Sequence, residues 1–338
     1  MENRKINYGF ALLRMLMAFE VILAHFCNWE EYSPIIVWPF RQLVSLAVSC
    51  FVIMSFYLLA DSYKKRDKNI FIKRLKRLFI PQVGWAFVYF FVYLLLNFFF
   101  NANIDIGLKD LFWQLLTGHS MNLNPTLWYQ FDTIIVTILF YLIFKYADDD
   151  KAFKTLLGLM IFCYFLQYSG INRALFGNLP FELKKPLGRI AEVIPFAVIG
   201  FTLKHLNIME KLKAHRFIVM FACIVLFLFG FYIPWPEVKN FDYGGLAKPY
   251  LSLCIVIFAY LVPLEYSSDP IKKVILRITD YTMGIYCCHR LVYTILLKAV
   301  KLDFAHSFEK CILIYIISYL LCMILDKTKC ETVQKMIR

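Results

Sequence analysis

The chain has ten cysteines and not one CxxC pair among them, and most of the ten sit inside apolar runs. Neither a disulfide framework nor a zinc or other metal site is expected; small core filler is the plainer reading. Charge is scarce as well. Asp, Glu, Lys and Arg make up 18% of the residues against 60% hydrophobic. A soluble domain of 338 residues could not hide that much apolar surface, so the solvent must be a bilayer. No Gly/Ser linker, low-complexity tract or soluble domain interrupts the chain, and no clear repeat relates its halves. The first apolar run lacks the small-residue cleavage site of a signal peptide. Arg14, Glu20 and His25 interrupt it and CNWEEY follows it, so it reads as a retained helix.

Ten apolar segments are present, at about 9–28, 40–60, 79–100, 126–144, 153–170, 190–204, 216–234, 247–264, 279–298 and 309–325. The sixth is the weakest, being short and holding Pro195 and Gly200. Between the third and fourth, residues 104–118 place Ile104, Leu108, Leu111, Phe112 and Leu115 at helical spacing, as a helix lying flat at the interface would. The expected fold is all-α: a polytopic integral membrane protein of about ten transmembrane helices, forming one domain over residues 1–338 with no appended soluble domain.

Net charge is +13, which in a soluble protein would suggest nucleic acid. In a membrane protein the placement of Lys and Arg decides, and no nucleic-acid partner is expected. Counted over alternate connections, they favour one side by roughly twofold, most densely in SYKKRDKNIFIKRLKR. That bias puts both chain ends in the cytoplasm. Trp29, Trp38, Trp113, Trp128 and Trp235 then fall at the outer interface, where aromatic belts form.

Three intramembrane or near-membrane groups carry the chemistry. Arg14 and His25 stand about 16 Å apart along a helix and within about 20° of the same direction. Ala18 and Val21 lie between them, and Ala18 leaves a shallow place. A snorkelling arginine and a hydrogen-bonded interface histidine would explain the pair equally well. Arg74 and Arg77 form an RxxR pair on one helical face. Positive-inside topology would explain such a run, but arginine forks also grip phosphates. His289 and Arg290 in the ninth segment are further intramembrane polar groups, for which a packing hydrogen bond is the simpler account.

Read together, these pieces resemble the acyltransferase-3 family of bacterial membrane acyltransferases, which modify cell-surface sugars. LRMLMAFEVILAH, CFVIMSFYLLADS, RLKRLFIP, TLWYQFD, IPFAVIGF and TDYTMGIYCCHRLVY carry the resemblance in that order along nearly the whole chain. One departure is Thr126, where the family often has His before the Leu-Trp pair. The resemblance implies an enzyme of the bacterial cytoplasmic membrane. It would move an acyl group, acetyl or succinyl, from cytoplasmic acyl-CoA to a hydroxyl of a cell-surface polysaccharide or lipid-linked glycan. His25 would be catalytic, and Arg14, Arg74 and Arg77 would serve the donor. Trp128 resembles the family's tryptophan in the fourth segment and could pack a sugar or the pantetheine arm; His289 is a further substrate-binding candidate.

Neutral histidine suits removal of a hydroxyl proton, and an acyl-histidine intermediate is the alternative. Asp132 and Glu192 are the carboxylates at a depth suited to orienting His25, although either could instead pair with an arginine such as Arg189. Glu20 points about 140° away. A glycan exporter without covalent chemistry, or a structural subunit of an export complex, would also suit ten helices with buried charges.

Overall fold

The computed structural model describes residues 6–33, 43–120, 122–168, 178–179, 181–232, 247–302 and 306–338. Trp38 and Trp235 lie outside them. Fourteen α-helices are described: α1 (Tyr8–Phe26), α2 (Ala47–Lys64), α3 (Lys68–Phe100), α4 (Leu108–Thr117), α5 (Trp128–Tyr146), α6 (Asp149–Tyr168), α7 (Phe181–His205), α8 (Ile208–Lys213), α9 (Arg216–Tyr232), α10 (Ala247–Leu261), α11 (Asp269–Asp280), α12 (Thr282–Lys298), α13 (Ser307–Asp326) and α14 (Glu331–Ile337). No strand occurs among the described residues. Seven spans, Tyr8–Phe26, Ala47–Lys64, Lys68–Phe100, Pro125–Tyr146, Leu183–His205, Ala247–Tyr266 and Ser307–Asp326, are long and apolar enough to cross a membrane. The remaining expected segments are helical too, but α9 and α12 are shorter, and α6 opens on the charged sequence DDKAFK.

Helix α1 is the hub. Asn7 caps it by accepting a 2.8 Å bond from the Phe10 amide, and α2, α10, α11, α12 and α13 pack around it. Arg14, Glu20 and His25 are tolerated on an apolar helix because its neighbours are protein rather than lipid. Helix α9 shows the converse, with Phe217, Ile218, Phe221, Leu228 and Phe229 exposed on the outside. Such side chains need acyl chains around them.

Helix α3 runs 33 residues, about 50 Å at the α-helical rise, well beyond a hydrocarbon core of about 30 Å. Asp67 caps it, its carboxylate accepting from the Asn69 amide at 2.7 Å. The basic run therefore continues the membrane helix instead of forming a loop before it. Helix α4 has the expected amphipathic pattern over a shorter range. Leu111 is buried, while Leu108 and Phe112 point outward.

Closest approach between α2 and α7 comes at Gly200, where a Cβ would stand 2.2 Å from the Ile53 carbonyl oxygen and 2.9 Å from its carbon. Both are backbone atoms and cannot swing aside. Gly200→Ala should therefore force the two helices apart and cost about 1–3 kcal/mol. Thermal unfolding in detergent checks this; an unchanged midpoint would mean that the helices separate freely.

Candidate active site

Two sets of cavities open toward opposite ends of α1. At the Arg14 end a cavity of about 200 Å³ is lined by Arg14, Arg74, Arg77 and Arg338, with Ser55 and Tyr129 among its walls. Arg14 donates to the Thr282 hydroxyl at 3.2 Å and Arg74 to the Ser55 hydroxyl at 2.8 Å. Arg77 donates to the Arg338 carbonyl at 3.1 Å. The three arginines named by the sequence thus converge, brought together from α1 and α3. Among the described residues none of the three makes an ion pair.

Arg338 is the residue that sequence reasoning missed. The last stretch reads as a polar tail, yet α14 folds back under the bundle. The Trp85 indole donates to the Met336 carbonyl at 2.9 Å, and Gly84 and Gly284 leave room for Met336 and Ile337. Arg338 is held by Asp326 at 2.6 Å, which also accepts from the Tyr281 hydroxyl at 2.9 Å. No local pattern in DKTKCETVQKMIR signals this, because the groups that seat α14, namely Trp85, Gly84 and Gly284, lie on α3 and α12.

At the other end His25 is exposed to two cavities. One, of about 650 Å³, also touches Arg290, Lys298 and Lys310. The second, of about 410 Å³, is an aromatic recess formed with Trp29, Trp128 and Tyr286. The His25 ring stacks on that of His289, centroids 5.7 Å apart and planes at 21°. No hydrogen bond to His25 is made among the described residues. His289 is fully buried; its Nδ1 lies 3.3 Å from the Ile285 carbonyl oxygen, leaving Nε2 without a partner. The Tyr89 hydroxyl braces the same stretch, donating to the Cys287 carbonyl at 2.8 Å and accepting from the Leu291 amide at 2.9 Å. His289 is therefore buried behind His25 and supports its ring from that side.

The shallow place expected at Ala18 does not exist. Ala18 is fully buried, its small surface covered by neighbouring helices. What the Arg14 cavity and the aromatic recess share instead is Tyr286, which lines both. Its hydroxyl bonds to the Thr126 carbonyl, and its ring meets Tyr129 edge-on at 5.5 Å. The turn that carries Thr126 is itself fixed by Gln114 of α4, whose side-chain oxygen accepts from the Asn124 amide at 3.2 Å.

The candidate carboxylates do not meet His25. Asp132 is completely buried with neither oxygen hydrogen-bonded, and the charges acting on it are Arg189 and Glu192. Glu192 pairs with Lys248 of α10 at 3.7 Å, both side chains almost fully buried. Lys248 is a partner that the sequence did not indicate. Arg189 lies 4.1 Å above the Trp128 ring and is also a charge felt by His25. Trp128 is only 5% exposed, so it faces the recess and not a lipid belt. Glu20 is buried, and its helical angle turns it away from His25.

Among the described residues the bundle holds seven helices of membrane-spanning length, with an arginine cluster at one end of α1 and an accessible histidine at the other. The acyltransferase-domain family model matches residues 7–327, and the chain belongs to this acyltransferase-3 family. No curated protein and no solved structure shows significant similarity to it.

Proposed function

We propose that the protein transfers an acyl group, most simply acetyl, from cytoplasmic acyl-CoA to a hydroxyl of a cell-surface glycan outside the membrane. The observation that carries this reading is the placement of Arg14 and His25 on one rigid helix, each facing its own cavity, with Tyr286 between. Phosphates gripped by Arg14, Arg74 and Arg77, with Arg338 as a fourth cation, would leave the pantetheine arm to cover about 16 Å to His25.

The acceptor oxygen then attacks the thioester carbonyl. A C–O bond forms, the C–S bond breaks, and His25 takes the hydroxyl proton and returns it to the departing CoA thiolate. Charges are held ready around this path rather than on the histidine itself. Arg189 stands over Trp128, near enough for its charge to act on Asp132, and His289 backs the imidazole. With ten crossings and both ends cytoplasmic, the RxxR pair would lie on the side where CoA is found.

Membranes containing the protein should transfer label from acetyl-CoA to purified polysaccharide, and membranes without it should not. An impermeant thiol reagent should reach a cysteine at Asn103 from outside but not one at Lys65. Outside labelling at Lys65 would set the arginines away from cytoplasmic CoA and sink the proposal.

A further inference from the structure

The larger cavity beside His25 is basic in a way that acyl transfer to a hydroxyl does not require. Arg290, Thr294 and Lys298 line it at four-residue steps on α12, so they stand in one row on that helix. The row is about 12 Å long. It begins next to His289, against which His25 stacks, and ends at the last residue of the helix. Lys310 joins it from α13, its ammonium 5.7 Å from the Tyr293 ring centre. Asn28, Asn103, Asn122 and Tyr93 add neutral polar groups to the lining.

None of the three cations has an ion-pair partner among the described residues. The acid that acts on Lys310 is Glu31, and one of its oxygens already accepts the Ser307 amide at 2.8 Å. Arg14 and Arg74 are half-buried cations that face a cavity without an ion pair among the described residues, whereas the buried Lys248 is paired with Glu192. Arg290 and Lys310 are half-buried too. Withdrawing two cations from water without a counter-charge is unfavourable, and a bound anion would offset it. A neutral sugar would be served by the three asparagines and the tyrosines alone.

We propose that the acceptor is an anionic glycan, with a carboxylate or phosphate seated on Arg290, Lys298 and Lys310 while a neighbouring hydroxyl faces His25. This rests on the acyl-transfer reading above and gives its acceptor a chemical class. Arg290 is also the charge that acts most on His25. An anion seated on Arg290 therefore screens the positive charge that repels the one His25 gains as base. An acidic acceptor would be both bound and activated by the same contact, without any additional covalent step.

The negative group could belong to an acidic sugar or to the diphosphate of a lipid carrier. Three probes separate these sources in nanodisc-held protein: a glucuronate-containing tetrasaccharide, its carboxyl-reduced counterpart, and a neutral glycosyl diphosphate. At low salt at least one charged probe should bind about tenfold more tightly than the reduced sugar, and the gap should close as salt is raised. Preference for the uronate alone puts the charge on the sugar; preference for the diphosphate alone puts it on the carrier. Arg290→Gln combined with Lys310→Gln should erase the preference. Lys298→Glu, at an exposed position that packs nothing, should weaken the charged probes on its own. Equal binding of all three probes, or a preference untouched by these substitutions, overturns the proposal. Acetyl-CoA binding by the unaltered protein separates the two readings. Without it the acyl-CoA reading fails; with it intact, equal binding of charged and neutral sugars removes only the anionic acceptor.

Discussion

His25→Ala leaves a protein that inserts, accumulates and binds acyl-CoA, while glycan acylation falls by a factor on the order of 100 to 10,000, the range for loss of a general base. The expectation of normal folding follows from the environment of the side chain. His25 is exposed to the cavities and no hydrogen bond engages it, so truncation removes no buried partner. Its chief contact is the stacked His289 ring, which Tyr89 and the α12 backbone hold in place independently. Turnover in a time course with labelled acetyl-CoA and membrane abundance by blotting are the two readings needed. Acylation at the normal rate would remove His25 from the chemistry.

The second large effect concerns the donor. Arg74→Lys or Arg77→Lys keeps the positive charge but loses the planar fork that meets two phosphate oxygens at once. A role in topology alone would tolerate the exchange. A role in phosphate binding predicts an apparent Michaelis constant for acyl-CoA raised about tenfold, with the acceptor constant little changed. Arg74 should be the more sensitive of the two. It is half-buried and tied to Ser55, whereas Arg77 is exposed. If both lysine variants use acyl-CoA normally, the donor is held elsewhere.

Much of this arrangement is visible in the sequence because it depends on local geometry. The Arg14–His25 spacing and the RxxR spacing each fix a direction on a helix; α1 formed close to its apolar segment, and α3 began about three turns before its own, taking in the RxxR pair. Contacts between distant helices were not visible. Nothing near Glu192 indicates that Lys248, on another helix, is its partner. Trp128 reads as a belt residue because composition cannot tell whether a helix end meets lipid or protein; Arg189 above it decides the matter. Arg338 escaped notice for the same reason, since its place depends on Asp326, Tyr281 and the glycines under α14. The basic row on α12 had a readable period, but its meaning required knowing that none of its cations is ion-paired among the described residues.

The continuity of α1 has a consequence for the choice of acyl group. Nineteen residues without a break make the helix a ruler: the span between the donor's anchor and the reacting carbon cannot stretch or shorten. A thioester arm of constant length will then deliver every carbonyl to the same point. Whatever hangs beyond that carbonyl must project past His25 into the recess walled by Trp29, Val44, Val48 and Trp128. Selectivity for chain length would accordingly belong to the aromatic and branched walls of the recess, and selectivity for CoA to the arginines at the opposite end.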